Sequence, residues 1–285
     1  MAQSAGPISN VSDTAHWVAA HRAIESARTD ALFHDTLAER LAGETGKAIV
    51  ANETRTAMAG WNLVTRTKVI DDLIIQTLAE GCDLVVNLAA GLDARPYRLD
   101  LPADLRWIEA DLPDLIAEKN DLLKDESPGC VLSRVAVDLA DPAARKQFLD
   151  KALDGAKKAL VLTEGLVFYL SEDEVSGLAA ALARPEINWW IMDLNNKAVV
   201  NRINRANEKL LGNSPWKFGP ADPLRFFADA GWNADKVVGL FRAAARFRRL
   251  PVLLWSLAFL PAGSRMPPIG AAQMPWSAAV RLTRG

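Results

Sequence analysis

Acidic residues stand at the carboxyl ends of three successive predicted strands. Glu109 and Asp111 follow the second strand, Asp138 the third, and Glu164 the fourth. In an open α/β sheet these strand ends face one ligand crevice. A carboxylate there can accept hydrogen bonds from ribose hydroxyls. An aspartate can accept from an adenine amino group while the N–H of Leu139 reaches a ring nitrogen, and Glu164 can face a cationic amine. Acidic residues also cap helices at such points, but four at matching positions favour a nucleoside site.

The turn after the first predicted strand helps to separate two classes of nucleotide cofactor. The apolar run 84–88 ends in a small-residue turn with Ala89 and Gly91, and a helix can start from Asp93. The dinucleotide fingerprint G-x-G-x-x-G has three glycines, but here Ala89, Gly91 and Ala94 occupy those places. A pyrophosphate needs close approach of the backbone, and S-adenosylmethionine has no phosphate. The turn therefore favours S-adenosylmethionine over NAD.

Alternating strand and helix patterns position these residues. Residues 13–80 have helical character, with runs that end at Gly43 and Gly81. The predicted strands lie near 84–89, 105–110, 131–136, 158–163, 188–193, 237–240 and 277–282. We predict an α/β fold with a Rossmann-like, doubly wound, mostly parallel seven-stranded sheet, an N-terminal helical cap and helical insertions late in the chain.

The 285 residues show no internal repeat and no low-complexity linker, which favours a single domain. Within 1–285 we expect a helical cap at 1–80 and a cofactor-binding core at 81–195. Acceptor-side insertions and the final strands would occupy 196–285. The acceptor pocket is expected between the cap, the 165–170 turn and the excursions 195–220 and 241–270. Its candidate lining residues are Tyr169, Trp61, Asn195 and Trp216, although aromatic residues at such spacings are more often core.

Composition excludes several classes of function. A net charge of −2 gives no electrostatic reason for binding nucleic acid or an anionic membrane. The apolar run 250–261 is too short to span a bilayer, and residues 1–12 do not resemble a signal peptide. The two cysteines, Cys82 and Cys130, cannot form a disulfide framework or a metal cluster. We therefore expect a cytoplasmic protein without a metal, nucleic-acid or membrane partner; the sequence assigns no oligomeric state.

Several ordered segments together resemble one enzyme family. They are 87–99, 109–113, 137–139 and 162–170, with further similarity in 22–28 and 30–35. The set is similar to the bacterial branch of the leucine carboxyl methyltransferase/polyketide O-methyltransferase family, which are class I S-adenosylmethionine-dependent methyltransferases. The resemblance spans roughly residues 13–195 and the helix end at 226–232.

The resemblance implies that S-adenosylmethionine is the cofactor, and it assigns two residues to the methionine part. Arg66 matches the arginine that pairs with the methionine carboxylate, a bidentate task suited to a guanidinium. Glu164 matches the residue beside the methionine amino group.

The resemblance also assigns residues to the adenosine part. Gly91 matches the turn glycine and Asp111 the ribose carboxylate, while Asp138 with Leu139 matches the adenine pair. The departure is Ala89, where many members have glycine. An alanine costs little at that position only if its φ is negative.

The implied activity is O-methylation of a carboxylate or hydroxyl of a small, hydrophobic, polyketide-like acceptor. A carboxylate is ionised at neutral pH and requires no base, whereas a phenol would gain from one. No catalytic base is assigned, because His16, His21 and His34 are expected to be surface or packing residues of the cap. Two alternatives remain: a protein that binds S-adenosylmethionine without turnover, and an NAD-dependent oxidoreductase.

Overall fold

Seven strands form one sheet in the computed structural model, which describes residues 11–52, 59–206, 215–255 and 275–285. The strands are β1 (Leu84–Leu88), β2 (Arg106–Asp111), β3 (Val131–Ala136), β4 (Ala159–Thr163), β5 (Ile187–Asn195), β6 (Trp232–Gly239) and β7 (Ser277–Arg284). Their order across the sheet is β3-β2-β1-β4-β5-β7-β6. Strands β1 to β5 are parallel, and β7 pairs antiparallel with both β5 and β6. The predicted seven-stranded, mostly parallel sheet is confirmed.

Helices precede the sheet and cover both of its faces. They are α1 (Val11–Ser26), α2 (Ala38–Asn52), α3 (Ala59–Ala79), α4 (Arg95–Arg98), α5 (Pro113–Leu122), α6 (Pro142–Ala152), α7 (Glu172–Leu182), α8 (Lys197–Ala206), α9 (Pro223–Asp229), α10 (Leu240–Arg246) and α11 (Val252–Trp255), with a 3₁₀ turn at Val167–Tyr169. The first three form the predicted N-terminal helical cap. No helix among the described residues is long and apolar enough to cross a membrane.

The core lies on both sides of β1, which is buried along its whole length, as expected for a central parallel strand. Successive side chains point to opposite faces. Val86 therefore joins a core with α6, α7 and α9, whereas Val85 joins a core with α3 and α10. This is the doubly wound arrangement. The order of the strands reverses between β1 and β4, so a crevice is expected at their carboxyl ends.

Gly43 bends α2 and does not end it. The sequence predicts a helix end here, but α2 continues to Asn52 across a kink at which Gly43 has φ 55° and ψ −165°. A single glycine in this conformation interrupts the helical geometry for one residue, and the following residues resume it. Gly81, in contrast, has φ +93° and follows the end of α3 as predicted.

The last part of the chain begins its strand earlier than predicted. Asp222 caps α9 by accepting a hydrogen bond from the Arg225 N–H at 2.9 Å, as expected. Strand β6 then starts at Trp232, five residues before the predicted 237. Because β6 lies at the edge of the sheet, residues 233–236 are exposed and polar enough to hide the strand pattern. Parts of the predicted excursions, 207–214 and 256–274, lie outside the described residues.

Candidate functional site

A cavity of about 640 Å³ opens at the carboxyl edge of the sheet, where the strand order reverses. This volume is typical of small-molecule sites. The turn after β1, the ends of β2 and β4, the segment after β3, and helices α1, α3 and α7 supply its walls. All six residues predicted to bind the cofactor line it: Arg66, Gly91, Asp111, Asp138, Leu139 and Glu164.

The Asp111 carboxylate is held by the backbone on two sides. Its Oδ2 accepts from the Gly91 N–H at 2.6 Å, and its Oδ1 accepts from the Leu112 N–H at 2.8 Å. Burial raises the pKa of Asp111. Each oxygen retains acceptor capacity, so the carboxylate is oriented for hydroxyl donors in the cavity. Gly91 has φ +51°, and a Cβ there would lie 3.3 Å from the Ala15 side chain.

Ala89 carries backbone strain at this same turn. Its φ is +53°, in the left-handed region, and it lines the cavity. The condition under which an alanine would cost little, a negative φ, is therefore not met. A side chain with a Cβ in this conformation costs roughly 1 kcal/mol or more. The strained residue therefore lies in the wall of the cavity.

The charged end of the cavity (Arg66, Arg95 and Glu164) is built from buried ion pairs. Arg66 Nε donates to Glu164 Oε1 at 2.8 Å, and Arg95 Nη1 lies 2.7 Å from Glu164 Oε2. Burial alone would raise the pKa of Glu164, but the two guanidinium groups outweigh it and hold that pKa below its usual value. Glu164 is therefore a carboxylate at neutral pH.

Arg66 keeps donors available for a ligand. Its side chain is 7% exposed and has five N–H groups, of which one bonds Glu164 and one donates from Nη1 to Asp193 Oδ2 at 3.0 Å. Three N–H groups have no partner among the described residues. Since Arg66 lines the cavity, it can bind a planar anion such as a carboxylate.

Ion pairs of alternating sign continue from this end across the cap. Each successive pair lies within 4 Å, in the order Arg22, Asp35, Arg98, Asp71, Arg95, Glu164, Arg66 and Asp193. Their side chains are at most 12% exposed. Removing one member would leave a buried partner uncompensated, so the chain of ion pairs fixes the position of Arg66 before any ligand binds.

Six of these eight residues had no predicted role, and Asp193 and Arg95 are the two of them that contact Arg66 or Glu164 directly. Asp193 stands at the end of the predicted strand 188–193, so the rule that selected the other acidic residues would have selected it too. Arg95 lies in the turn segment 87–99 and pairs there with Asp93, but its two other partners, Asp71 and Glu164, come from α3 and from the segment after β4. Pairing between such distant segments is not visible in local sequence.

The open end of the cavity (Asp138 and Leu139) lies on the other side of the crevice. Asp138 is exposed, and its Oδ1 accepts from the Ala140 N–H at 2.9 Å. The carbonyl of Leu139 accepts from Arg145 Nη1 at 2.6 Å. A ligand at this end meets solvent-facing groups with few fixed partners.

Glu109 does not belong to the crevice, although the sequence placed it with the other strand-end carboxylates. It lies inside β2, is fully buried, and is absent from the cavity wall. Its Oε2 lies 2.8 Å from Lys119 Nζ and 2.8 Å from Arg134 Nε. Two cations compensate the buried carboxylate, so its role is structural.

Of the four side chains predicted to line an acceptor pocket, one lies in the wall of this cavity. Tyr169 lines the cavity. Trp61 instead packs edge-on against Phe241, and Trp216 stacks on Phe168 with ring centroids 4.1 Å apart. These two and Asn195 are not part of its described wall, and neither are the described parts of the excursions 195–220 and 241–270. Helix α7 contributes lining residues in their place.

No histidine is among the described residues that line the cavity. His16, for example, contacts the carbonyl of Leu41 at 3.1 Å and Glu118 at 3.3 Å. Within the described part of the chain, no group of three or more His, Cys, Asp or Glu side chains is arranged to hold a metal ion.

The wall of the cavity carries more negative than positive side chains. Four arginines and six carboxylates line it: Arg22, Arg66, Arg95, Arg145, Asp93, Asp111, Asp138, Glu164, Asp173 and Glu174. Like charges repel strongly at close range in a partly buried site. The excess of carboxylates disfavours the pyrophosphate of a dinucleotide and suits a ligand with net positive charge.

Comparisons with known proteins agree with this arrangement. A family model described as Leucine carboxyl methyltransferase matches residues 15–183. Two curated Streptomyces relatives are each named "Putative S-adenosyl-L-methionine-dependent methyltransferase". The one from Streptomyces avermitilis is 33% identical over 252 residues, covering 83% of this chain and 88% of that protein. The one from Streptomyces coelicolor is 33% identical over 261 residues, covering 86% and 91%.

A solved structure shares the fold over nearly the whole chain. It is a DUF574 family protein from Streptomyces avermitilis, with a TM-score of 0.60 and 13% sequence identity. The similarity covers 94% of this chain and 97% of that one.

Proposed function

The chain belongs to the leucine carboxyl methyltransferase family and is an S-adenosylmethionine-dependent methyltransferase, and we propose that it methylates an oxygen of a small, apolar, polyketide-like metabolite. The acceptor oxygen is that of a carboxylate or a hydroxyl. The observation that carries the proposal is the composition of the wall near the charged end. Tyr169 is accompanied there by Leu166 and Leu170, which suits an apolar molecule with one polar oxygen.

The proposed contacts to the cofactor follow from the geometry at each end of the cavity. The unpaired N–H groups of Arg66 bind the methionine carboxylate, and Glu164 faces the ammonium group. Asp111 accepts from the ribose hydroxyls, and Gly91 permits close approach of the turn. Asp138 and the N–H of Leu139 bind adenine. The proposed cofactor contacts are thus Arg66, Gly91, Asp111, Asp138, Leu139 and Glu164. The excess of carboxylates in the wall favours a cationic cofactor over NAD.

In methyl transfer the main task of the protein is to position the methyl donor and the acceptor. When bound, S-adenosylmethionine supplies an electrophilic methyl group on a sulfonium, and an in-line displacement then depends on alignment with the acceptor oxygen. Burial raises the pKa of Tyr169, so its phenol stays protonated at neutral pH and serves as a hydrogen-bond donor. A carboxylate acceptor needs no base, because it is already ionised.

We propose that the three segments of the chain predicted from the sequence have distinct roles. Residues 1–80 would form the cap over the cofactor, 81–195 the cofactor-binding core, and 196–285 the late insertions with the final strands, within one domain. No described residue of 196–285 lines the cavity, so the acceptor contacts proposed here come from the cap and the core. Part of this division is supported by α1, which supplies cavity-lining residues from the cap, and by the six proposed contacts, five of which lie in 81–195.

The test is turnover on a panel of small carboxylic acids and phenols, read as formation of S-adenosylhomocysteine. The proposal predicts turnover with at least one apolar member. A rate that is flat between about pH 6 and 9 identifies a carboxylate acceptor, and a steep rise identifies a hydroxyl. Binding of S-adenosylmethionine without turnover on any member would favour a binding protein. Thermal stabilisation by NAD alone would contradict the cofactor assignment.

A further inference from the structure

Asp193 contacts Arg66 from outside the described wall of the cavity. It is 3% exposed and sits near the carboxyl end of β5, where it is not part of the described cavity wall. Its Oδ2 accepts from Arg66 Nη1 at 3.0 Å. Asp193 therefore touches the residue proposed to bind the methionine carboxylate but does not itself face the ligand.

The second oxygen of Asp193 holds the loop beneath Arg66. Its Oδ1 accepts from the Gly165 N–H at 2.8 Å. Gly165 has φ +72°, and a Cβ at that residue would lie 3.7 Å from both Nη atoms of Arg66. The guanidinium thus lies against the backbone of the 165 turn. One carboxylate joins the helix that carries Arg66 to the loop on which the guanidinium rests.

Arg66 is a long side chain that loses rotamer freedom only if its head is held from more than one direction. Glu164 holds Nε and Asp193 holds Nη1, which places two carboxylates along two edges of the planar group. The remaining N–H groups, including both on Nη2, have no partner among the described residues and stay available to a ligand in the cavity that Arg66 lines. Glu164 alone would permit the guanidinium to rotate about its Nε contact.

The geometry points to Asp193 as a positioning residue that selects the aminoacyl end of the cofactor through Arg66. Asp193 orients the free N–H groups of Arg66 toward a carboxylate, so it governs affinity for ligands that carry the amino-acid part. It leaves affinity for the adenosine part unchanged. This inference rests on the proposed placement of the methionine carboxylate at Arg66.

Two ligands separate this role from a general structural one. S-adenosylhomocysteine carries the amino-acid part, whereas 5′-methylthioadenosine has the same adenosine and sulfur but neither carboxylate nor ammonium. We expect Asp193→Asn to weaken S-adenosylhomocysteine binding about tenfold or more, as for loss of a charge-assisted contact. An asparagine can still accept from Gly165, but its amide hydrogens cannot accept from Arg66. Binding of 5′-methylthioadenosine should stay within about twofold.

Isothermal titration calorimetry of the full chain with both ligands is the measurement. Asp72→Asn is the matched control, since Asp72 is a partly exposed carboxylate on the same helix that pairs with Lys68 away from the cavity. It should change neither affinity. Equal weakening of both ligands by Asp193→Asn would show a structural role only, and unchanged affinity for both would show no role; either overturns the inference.

A double-mutant cycle with Arg66→Ala tests whether Asp193 acts through Arg66. If it does, adding Asp193→Asn to Arg66→Ala should weaken S-adenosylhomocysteine binding by no more than about twofold further. Fully additive losses would contradict the inference. If Arg66→Ala alone leaves S-adenosylhomocysteine binding intact, the placement of the methionine carboxylate in the proposed function is wrong, which is a different failure.

Discussion

The charged end and the open end of the cavity are built in contrasting ways. At the charged end, Arg66 is buried, the Glu164 side chain is only 12% exposed, and each has at least two ionic partners at 3.0 Å or less. At the open end, Asp138 is exposed and its side chain accepts from the Ala140 N–H. The difference shows which side chains are already held in position before a ligand binds. Groups held before binding lose little entropy on binding, so the charged end should set affinity and specificity.

The largest effect is expected from Arg66→Ala. It removes a proposed charge-assisted contact worth about 1.5–3 kcal/mol, so affinity for S-adenosylmethionine should fall tenfold or more. It also leaves Glu164 and Asp193 buried with one cation fewer, which should lower the free energy of unfolding by about 3–5 kcal/mol. Calorimetry and urea unfolding measure the two effects. Arg40→Ala, at an exposed pair with Glu126, is the control and should change neither. An unchanged affinity would show that the charged end does not bind the cofactor.

Asp111→Ala should have a similar or somewhat smaller effect on binding. The carboxylate is proposed to hold the ribose, and it is oriented by the N–H groups of Gly91 and Leu112. We expect affinity for S-adenosylmethionine to fall about tenfold. The affinity for adenosine should fall by the same factor, since adenosine contains the ribose. If affinity fell for S-adenosylmethionine but not for adenosine, Asp111 would not bind the ribose.

Asp138→Ala should weaken binding less than either change above. A hydrogen bond from an exposed side chain is worth about 0.5–1.5 kcal/mol, which corresponds to a loss of about two- to tenfold. Competition between adenosine and inosine measures the contact to the adenine amino group specifically, because inosine lacks that group. The variant should lose part of the preference for adenosine. A loss as large as that of Arg66→Ala would contradict the contrast between the two ends.

The smallest effect, and one of opposite sign, is expected from Ala89→Gly. Ala89 has φ +53°, and glycine adopts this conformation without the penalty of a Cβ. The free energy of unfolding should rise by about 1 kcal/mol, which urea unfolding can resolve. Ala90→Gly, at a neighbouring cavity-lining residue whose φ is not positive, is the matched control and should not stabilise. A loss of stability at Ala89→Gly would mean that the turn is not strained.

The sequence predicts the parts of this molecule that depend on local pattern. Strand β1 is apolar except for Asn87, and Asp222 stands directly before the helix that it caps. The first half of strand β6 is not predicted from the sequence, because its position at the edge of the sheet leaves polar residues such as Asn233 and Lys236 exposed. The helix end predicted at Gly43 is wrong because a glycine is compatible with both a helix end and a kink. Only the packing of the following turn decides between them.

The site divides in the same way. Strand-end carboxylates such as Asp111 are visible in sequence, because topology brings the ends of parallel strands together. The rule also selects Glu109, since sequence does not show that Lys119 and Arg134 pair with it inside the sheet. The ion pairs of Arg66 join α3 to residues about 100 positions away. Such contacts are set by tertiary packing.

The proposed binding of the amino-acid part of the cofactor at the charged end is tested most directly by comparing S-adenosylhomocysteine with 5′-methylthioadenosine on the unaltered protein by calorimetry. If Arg66 binds the carboxylate and Glu164 the ammonium group, two charge-assisted contacts separate the ligands. S-adenosylhomocysteine should then bind at least about a hundredfold more tightly. Equal affinities would contradict the central claim, since the charged end would then contribute nothing to binding of the cofactor.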